Sequence, residues 1–221
     1  MMNFAAMLKR MVREQLVDST RGITNPRVLA AMGKVPRHKF VPQNFQKDAY
    51  RDMALSIGEG QTISQPFVVA CMTQHVDPKP NDSVLEVGGG CGYQAAVLGE
   101  LAGKVCSLEI VESLAQQAAV TLERLACQNV SMIHADGHVG WRESAPYDVI
   151  LVACAAPAVP AVLVEQLAEK GRLIMPVGPC THQELRLLIK KNGRVEQTVV
   201  LPVRFVPMTG GTDAVPMTSK T

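Results

Sequence analysis

Residues Val84-Leu85-Glu86-Val87-Gly88-Gly89-Gly90-Cys91-Gly92-Tyr93 constrain this chain more than any other stretch. An apolar run of strand length enters a glycine-rich turn and leaves into an alanine-rich segment, with Glu86 two residues before the first glycine. A strand–glycine turn–helix of this kind grips a nucleotide-like ligand at the carboxyl end of the first strand of a parallel sheet. The glycine spacing narrows the ligand. A dinucleotide turn of the form G-x-G-x-x-G would put its third glycine at position 93, which is Tyr93; the glycines fall instead at Gly88, Gly90 and Gly92. Such a turn needs close backbone approach, which glycine permits, and not a helix N-terminus opened to phosphate oxygens.

The downstream pattern predicts the sheet that such a turn serves. Strands are expected at Val84–Val87, Val105–Ile110, Val130–His134, Tyr147–Ala153 and Arg172–Val177, with helices over Tyr93–Leu101, over Glu112–Cys127 and from the Pro157/Pro160 turn to about Ala168, where Gly171 reads as the helix stop. Alternating strands and helices imply an α/β, doubly wound, mostly parallel sheet. Leu185–Lys190 and Gln197–Val206, joined across Asn192-Gly193, read as an antiparallel C-terminal hairpin. Upstream, Phe4–Val17 reads as an amphipathic helix, Asn25-Pro26 starts a second helix, Val35–Pro42 reads as extended because each proline disfavours helix before it, and Phe67–Val76 is an amphipathic run. The chain is thus read as a single domain over 1–221: an N-terminal helical cap and loop over about 1–80, an α/β core with C-terminal strands over 81–209, and a polar, mobile tail from Gly210 to Thr221.

Composition removes several function classes. With 221 residues and 47% hydrophobic content the chain can bury one sizeable core. A net charge of +2 and 4% aromatic content argue against nucleic acid as a partner. No membrane partner is expected either: the longest apolar run, Val149 to Val164, is short and broken by Pro157 and Pro160, and Met1 to Arg13 has no signal-peptide core. Six cysteines without a C-x-x-C pair read as reduced thiols of a cytoplasmic protein. A monomer is expected.

Two acids complete the nucleotide reading. Glu109 ends the second strand, where a carboxylate can accept from a ribose diol, and Asp136-Gly137 follows the third, where an acid could accept from an adenine amino group beside a glycine that admits the ring. No metal is expected: His134 and His138 flank the helix-breaking Asp136-Gly137, and no third ligand is evident. Cys91, inside the turn, is open to two readings, an oxidation-sensitive thiol or a packed small residue.

The G-x-G-x-G turn after an acid is similar to the first motif of S-adenosylmethionine-dependent methyltransferases. A second stretch, Gly58-Glu59-Gly60-Gln61-Thr62-Ile63-Ser64-Gln65-Pro66, narrows this further. Together with Val84–Gln94 it resembles the paired signature of the protein-L-isoaspartate (D-aspartate) O-methyltransferases. Val35-Pro36-Arg37, Phe40-Val41-Pro42, Ala145-Pro146-Tyr147-Asp148, Ala155-Ala156-Pro157, Leu173–Gly178 and Arg204-Phe205-Val206-Pro207 are also similar to the family. The resemblance implies S-adenosylmethionine as cofactor and the α-carboxylate of an isoaspartyl residue in a damaged protein or peptide as methyl acceptor, with D-aspartyl residues as a further acceptor. It implies Thr62, Ile63, Glu86, Gly88, Gly90, Gly92, Glu109, Asp136 and Gly137 at the cofactor, Ser64 as the hydroxyl that orients the acceptor, and Val206 beside the substrate. Ser64 could equally cap the helix that starts at Gln65-Pro66. Gly89 reads as a departure that makes the turn more flexible. The alternatives are a small-molecule O- or N-methyltransferase on the same fold, a non-catalytic S-adenosylmethionine-binding protein and, disfavoured by Tyr93, a nicotinamide oxidoreductase.

Overall fold

The computed structural model describes residues 2–17 and 22–211. Helix α1 (Phe4–Met11) is capped by the Asn3 side chain and passes into a π-helical turn over Val12–Val17, so the expected Phe4–Val17 helix changes register halfway. In α2 (Pro26–Lys34) the Asn25 side-chain Oδ1 accepts from the backbone N–H of Arg27 and Val28, as the Asn-Pro start predicts. The Val35–Pro42 segment is not extended throughout. Val35 and Val41, the residues before the prolines, are extended, and Arg37–Phe40 between them coils into a 3-10 turn. The pre-proline restriction acts on one residue only, so the stretch between the prolines was free to coil.

Strands β1 (Leu55–Gly58) and β2 (Gln61–Ile63) form a small antiparallel hairpin that the glycines at 58 and 60 concealed as a loop. Helix α3 (Pro66–Val76) is buried at Phe67, Val69, Ala70, Cys71, Met72, Thr73 and Val76, so it is a core helix and not the amphipathic one expected. Then follow β3 (Ser83–Val87), α4 (Tyr93–Gly99), β4 (Lys104–Glu109), α5 (Glu112–Arg124), β5 (Val130–His134), β6 (Tyr147–Val152), α6 (Ala161–Glu165), β7 (Leu167–Val177), β8 (Gln183–Lys191) and β9 (Arg194–Val203).

The main sheet has seven strands in the order β5-β4-β3-β6-β7-β8-β9, parallel from β5 to β7 and antiparallel at β8 and β9. The expected mostly parallel α/β sheet with an antiparallel C-terminal hairpin and a helical cap is therefore present. Side chains alternate across it. Val84, Val105 and Val149 join α3, α4 and the N-terminal helices in one apolar cluster, while Leu85, Val87, Leu108 and Ile150 pack with α6 on the opposite face.

Gly171 does not stop a helix. It lies buried inside β7, where the pairing with β6 jumps from Tyr147↔Leu167 to Val149↔Arg172. A Cβ at 171 would stand 2.8 Å from the Ala168 carbonyl oxygen, so the glycine serves a bulge with close backbone approach. The second hairpin strand also ends earlier than expected, at Val203. Of the expected mobile tail, Gly211 donates its backbone N–H to Asp136, as described below, and 212–221 lies outside the described residues.

The chain runs from β3 to β4 and β5 on one side and returns to β6 on the other. The carboxyl end of β3 is thus the point where strand order reverses, and open α/β sheets bind ligands there.

Candidate active site

The glycine turn caps this switch point. Gly88, Gly90 and Gly92 have φ of 84°, 53° and 85°, a left-handed backbone that side chains resist. The backbone N–H groups of Gly88 and Gly89 donate to the Leu108 carbonyl oxygen at the end of β4. Glu109 then clamps the turn: Oε2 accepts from Gly90 N at 2.7 Å and Oε1 from Val111 N at 2.8 Å. A carboxylate has about four lone-pair positions, so each oxygen keeps one for a ligand diol.

A cleft of about 530 Å³, partly open to solvent, lies across the ends of β3, β4 and β6. Val87, Gly88, Gly90, Leu108 and Glu109 form its floor; Gln61 and Thr62 of the hairpin form one wall and Val206–Thr209 another. Gly137 lines it as well, and a Cβ there would lie 2.2 Å from Val87 Cγ1, so only glycine fits. Asp136, beside it, is turned away. Its Oδ1 accepts from His138 N at 2.9 Å and approaches His138 Nδ1 at 3.1 Å, and its Oδ2 accepts from Gly211 N at 2.7 Å. Partial burial raises its pKa, but these bonds outweigh that and hold the carboxyl below its usual range. The structure therefore brings Thr62, Gly88, Gly90, Glu109, Gly137 and Val206 onto one cleft and leaves Asp136 off it, engaged by the C-terminal segment.

Glu86 and Gly92 also stand behind the surface. Gly92 heads α4, and a Cβ there would meet Ala118 and Leu122 of α5 at 3.3 Å. Glu86 is fully buried under the turn; Ser107 Oγ donates to its Oε2, and Oε1 has no partner among the described residues. Burial pushes its pKa up to about 8, with the Ser107 hydrogen bond pulling down and Glu109 pushing up. Ser107 and its effect on Gly89 were not read from the sequence. A Cβ at 89 would stand 2.3 Å from Ser107 Oγ and 2.9 Å from Met132 Cε, so Gly89 answers a lack of space and does not loosen the turn. The signal was the register Glu86↔Ser107, visible once the two strands are aligned by their glycine and glutamate ends. Burial also raises the Cys91 thiol to about 11, which keeps it protonated at neutral pH and favours the packed-residue reading over a reactive thiolate.

Two smaller recesses continue the cleft. Thr62, Ile63, Ser64, Val69, Met72 and Gly88–Cys91 line one; Thr62, Ser64, Gln65, Val68 and Arg204–Val206 line the other. Thr62 and Ala153 border all three spaces, and Ser64 sits where the two recesses meet. Ser64 does not cap α3. The cap position is Gln65, without a side-chain bond, and Asp52 Oδ1 accepts from Phe67 N at 2.9 Å in its place. Among the described residues Ser64 Oγ has no hydrogen-bond partner, so it is available to a ligand. His134 and His138 have separate partners, Ile110 O and Asp136.

The cleft fits S-adenosylmethionine. Its glycines admit close approach, its one charged lining residue is the carboxylate of Glu109, and the buried Glu86 adds an unpartnered oxygen beneath. When bound, this cofactor supplies an electrophilic methyl group on a sulfonium.

Known proteins agree. A solved protein-L-isoaspartate O-methyltransferase superposes with a TM-score of 0.82 at 28% identity, covering 94% of this chain and 66% of that one. A beta-aspartate methyltransferase (PCMT) from Plasmodium falciparum, solved in complex with S-adenosyl-L-homocysteine, gives 0.78 at 26% identity over 95% of this chain and 99% of that one. Among curated sequences, the protein-L-isoaspartate O-methyltransferase of Opitutus terrae is 52% identical over 91% of this chain and 86% of that protein. That of Methanoculleus marisnigri is 48% identical over 91% and 93%. The family model described as protein-L-isoaspartate(D-aspartate) O-methyltransferase matches residues 8–213, and the chain belongs to this family.

Proposed function

We propose that this protein transfers a methyl group from S-adenosylmethionine to the free α-carboxylate of L-isoaspartyl residues, and to the free carboxylate of D-aspartyl residues, in damaged proteins and so starts their repair. The observation that carries this reading is the unpartnered Ser64 hydroxyl between the cofactor cleft and the outer recess, next to Thr62 and Ala153, which border both.

The residues present suffice for the chemistry. A chain-terminal type of carboxylate has a reference pKa of about 3.5, so it is ionised at neutral pH and needs no general base. Ser64 Oγ donates a hydrogen bond that fixes one carboxylate oxygen and leaves the other to attack. Val69 and Met72, 2% and 1% exposed, wall the recess and keep water from the reacting anion. Glu109 holds Gly90 and its remaining lone pairs take the cofactor's diol. Val206, between the cofactor cleft and the outer recess, offers backbone groups to an extended peptide; its carbonyl oxygen is already engaged by Ala155 N, which leaves its N–H for pairing. The methyl ester then closes to a succinimide without further help from the enzyme, and part of it opens to normal aspartate.

The chain is further read as one folding unit, monomeric and cytoplasmic, with isoaspartyl chains and not nucleic acid or membrane as partners. The described residues contain no helix long and apolar enough to cross a membrane.

The test is methyl transfer to an isoaspartyl peptide and to its normal aspartyl twin. Transfer to the first alone is expected; equal transfer to both, or none, overturns the reading. Ser64→Ala should lower kcat/KM by roughly ten- to a thousandfold, the loss of one hydrogen bond to a charged group, with S-adenosylhomocysteine affinity nearly unchanged. A fully active Ser64→Ala enzyme would remove Ser64 from the reaction. Wild-type activity should be flat from about pH 6 upward, because nothing in the reaction titrates there.

A further inference from the structure

The three connected spaces carry two charged lining residues of opposite sign, at opposite ends: Glu109 in the cofactor cleft and Arg204 in the outer recess with Ser64 and Gln65. Arg27, Arg51, Arg142, Arg172 and Arg186 each face a carboxylate within ion-pair distance. Arg204 is exposed and has no ion pair or hydrogen bond among the described residues. The backbone that carries it is nevertheless pinned. Phe205 N donates to Gln183 Oε1 at 2.7 Å, Gln183 Nε2 donates to Phe205 O at 3.2 Å, and Ala155 N donates to Val206 O at 2.9 Å; Gln183 itself is only 4% exposed. A guanidinium without a partner, on a fixed segment at the mouth of a recess, is a preorganised anion receptor.

We propose that Arg204 recognises the free α-carboxylate of the isoaspartyl chain as it enters the recess and delivers it to Ser64. This rests on the methyltransferase reading above. The sign is right: the acceptor is the anionic partner and the cofactor the cationic one, and the site places its cation where the first enters and its anion where the second binds. A normal aspartyl chain also carries one free carboxylate, on its side chain, so Arg204 serves the approach of the anion and the shape of the recess provides the discrimination. At an exposed position this recognition is screened by salt. Because Arg204 is exposed, its attraction is that of a pair in a watery dielectric, about fivefold in affinity at contact.

Steady-state kinetics on one isoaspartyl peptide, at low and high ionic strength, test this with wild type, Arg204→Lys, Arg204→Gln and Arg204→Glu. Arg204→Gln should raise KM about fivefold at low salt and less at high salt, Arg204→Lys less than that, and Arg204→Glu most. In all three, kcat should stay within about twofold of wild type, as expected for a lost approach interaction and not a lost transition-state contact. S-adenosylhomocysteine affinity, measured by calorimetry, should not move. Unchanged KM in Arg204→Gln and Arg204→Glu, a fall in kcat at constant KM, or a parallel loss of S-adenosylhomocysteine affinity each overturns the assignment. If wild type fails to prefer the isoaspartyl peptide over its aspartyl twin, the methyltransferase reading falls and takes this inference with it. An active, selective wild type with indifferent variants sinks Arg204 alone.

Discussion

At the scale of single residues, the two glutamates of the cofactor end behave differently because their surroundings differ. Glu109 accepts two backbone N–H groups and braces the turn. Glu86 is fully buried with one donor, Ser107, among the described residues, so the cost of burying its charge dominates and its pKa stands at about 8 against an ordinary 4.5. A carboxyl whose folded-state pKa lies above its unfolded one holds a proton in the native state between those values. Its contribution to stability is complete below pH 4.5 and is lost as pH rises through about 8. The ligand-free protein should therefore lose melting temperature across that interval. Glu86→Gln, neutral at all pH and still able to accept from Ser107, should flatten this dependence while raising or keeping stability at the alkaline end. Thermal melts of both proteins at several pH values decide it. Parallel curves would mean that Glu86 is not protonated in the folded state.

At the scale of elements, the glycines divide into those a sequence pattern can place and those it cannot. Gly88, Gly90 and Gly92 follow a strand at a fixed spacing, so the turn, its switch-point position and the flanking β3 and α4 were legible. Glu109 was legible for the same reason: it ends the next strand. Gly89 was misread because it answers Ser107 and Met132, far away in sequence, and a one-dimensional pattern contains no such distance; Gly171 was misread because its close contacts, Ala168 and Leu167, are local, and a glycine at the end of an apolar run reads as a helix stop until the pairing of β7 with β6 is known. The β1–β2 hairpin was missed because it is short and its turn glycines look like loop; Thr62 and Ser64, which border the recesses, were singled out through the motif and not through any period. Ser64 was read as a possible cap because a serine before Gln-Pro normally is one, and only the structure shows Asp52, fifteen residues before Phe67, in that role. Asp136 was assigned by analogy of position, and the C-terminal segment that takes its carboxylate is distant in the chain. The Gly171 bulge is testable. Gly171→Ala would push Cβ to within 2.8 Å of Ala168 O and 2.9 Å of Leu167 Cδ1, and Leu167 is 1% exposed. A cost of about 1–3 kcal/mol in urea unfolding is expected from overpacking at this point. A neutral substitution would mean that the bulge relaxes freely.

At the scale of the whole molecule, the N-terminal part and the sheet are parts of one core. Leu8, Met11, Leu16 and Met32 share an apolar cluster with Val84, Tyr93, Val149 and Ile174. Arginines stitch the two together. Arg37, fully buried, donates to the carbonyl oxygens of Ala49 and Met53 and lies 4.8 Å from the centre of the Tyr93 ring, at the end of the glycine turn. Arg27 donates to Pro78 O and Leu101 O, and Arg172 to Val76 O, Asp77 O and Asp82. The cofactor cleft is walled by the hairpin from the first part and by Val206–Thr209 from the C-terminal end. A ligand in it touches segments that lie far apart in the chain and share one apolar cluster. S-adenosylhomocysteine at a hundred times its dissociation constant should therefore stabilise the entire protein by about 2.7 kcal/mol. For a chain of this length that is roughly 5–10 °C in Tm, seen as one transition moving as a unit. Amide exchange should slow at the glycine turn, at Gln61–Ile63 and at Val206–Gly211 alike. A transition that splits in two on adding ligand, with only one part shifted, would show that the N-terminal part unfolds independently of the sheet.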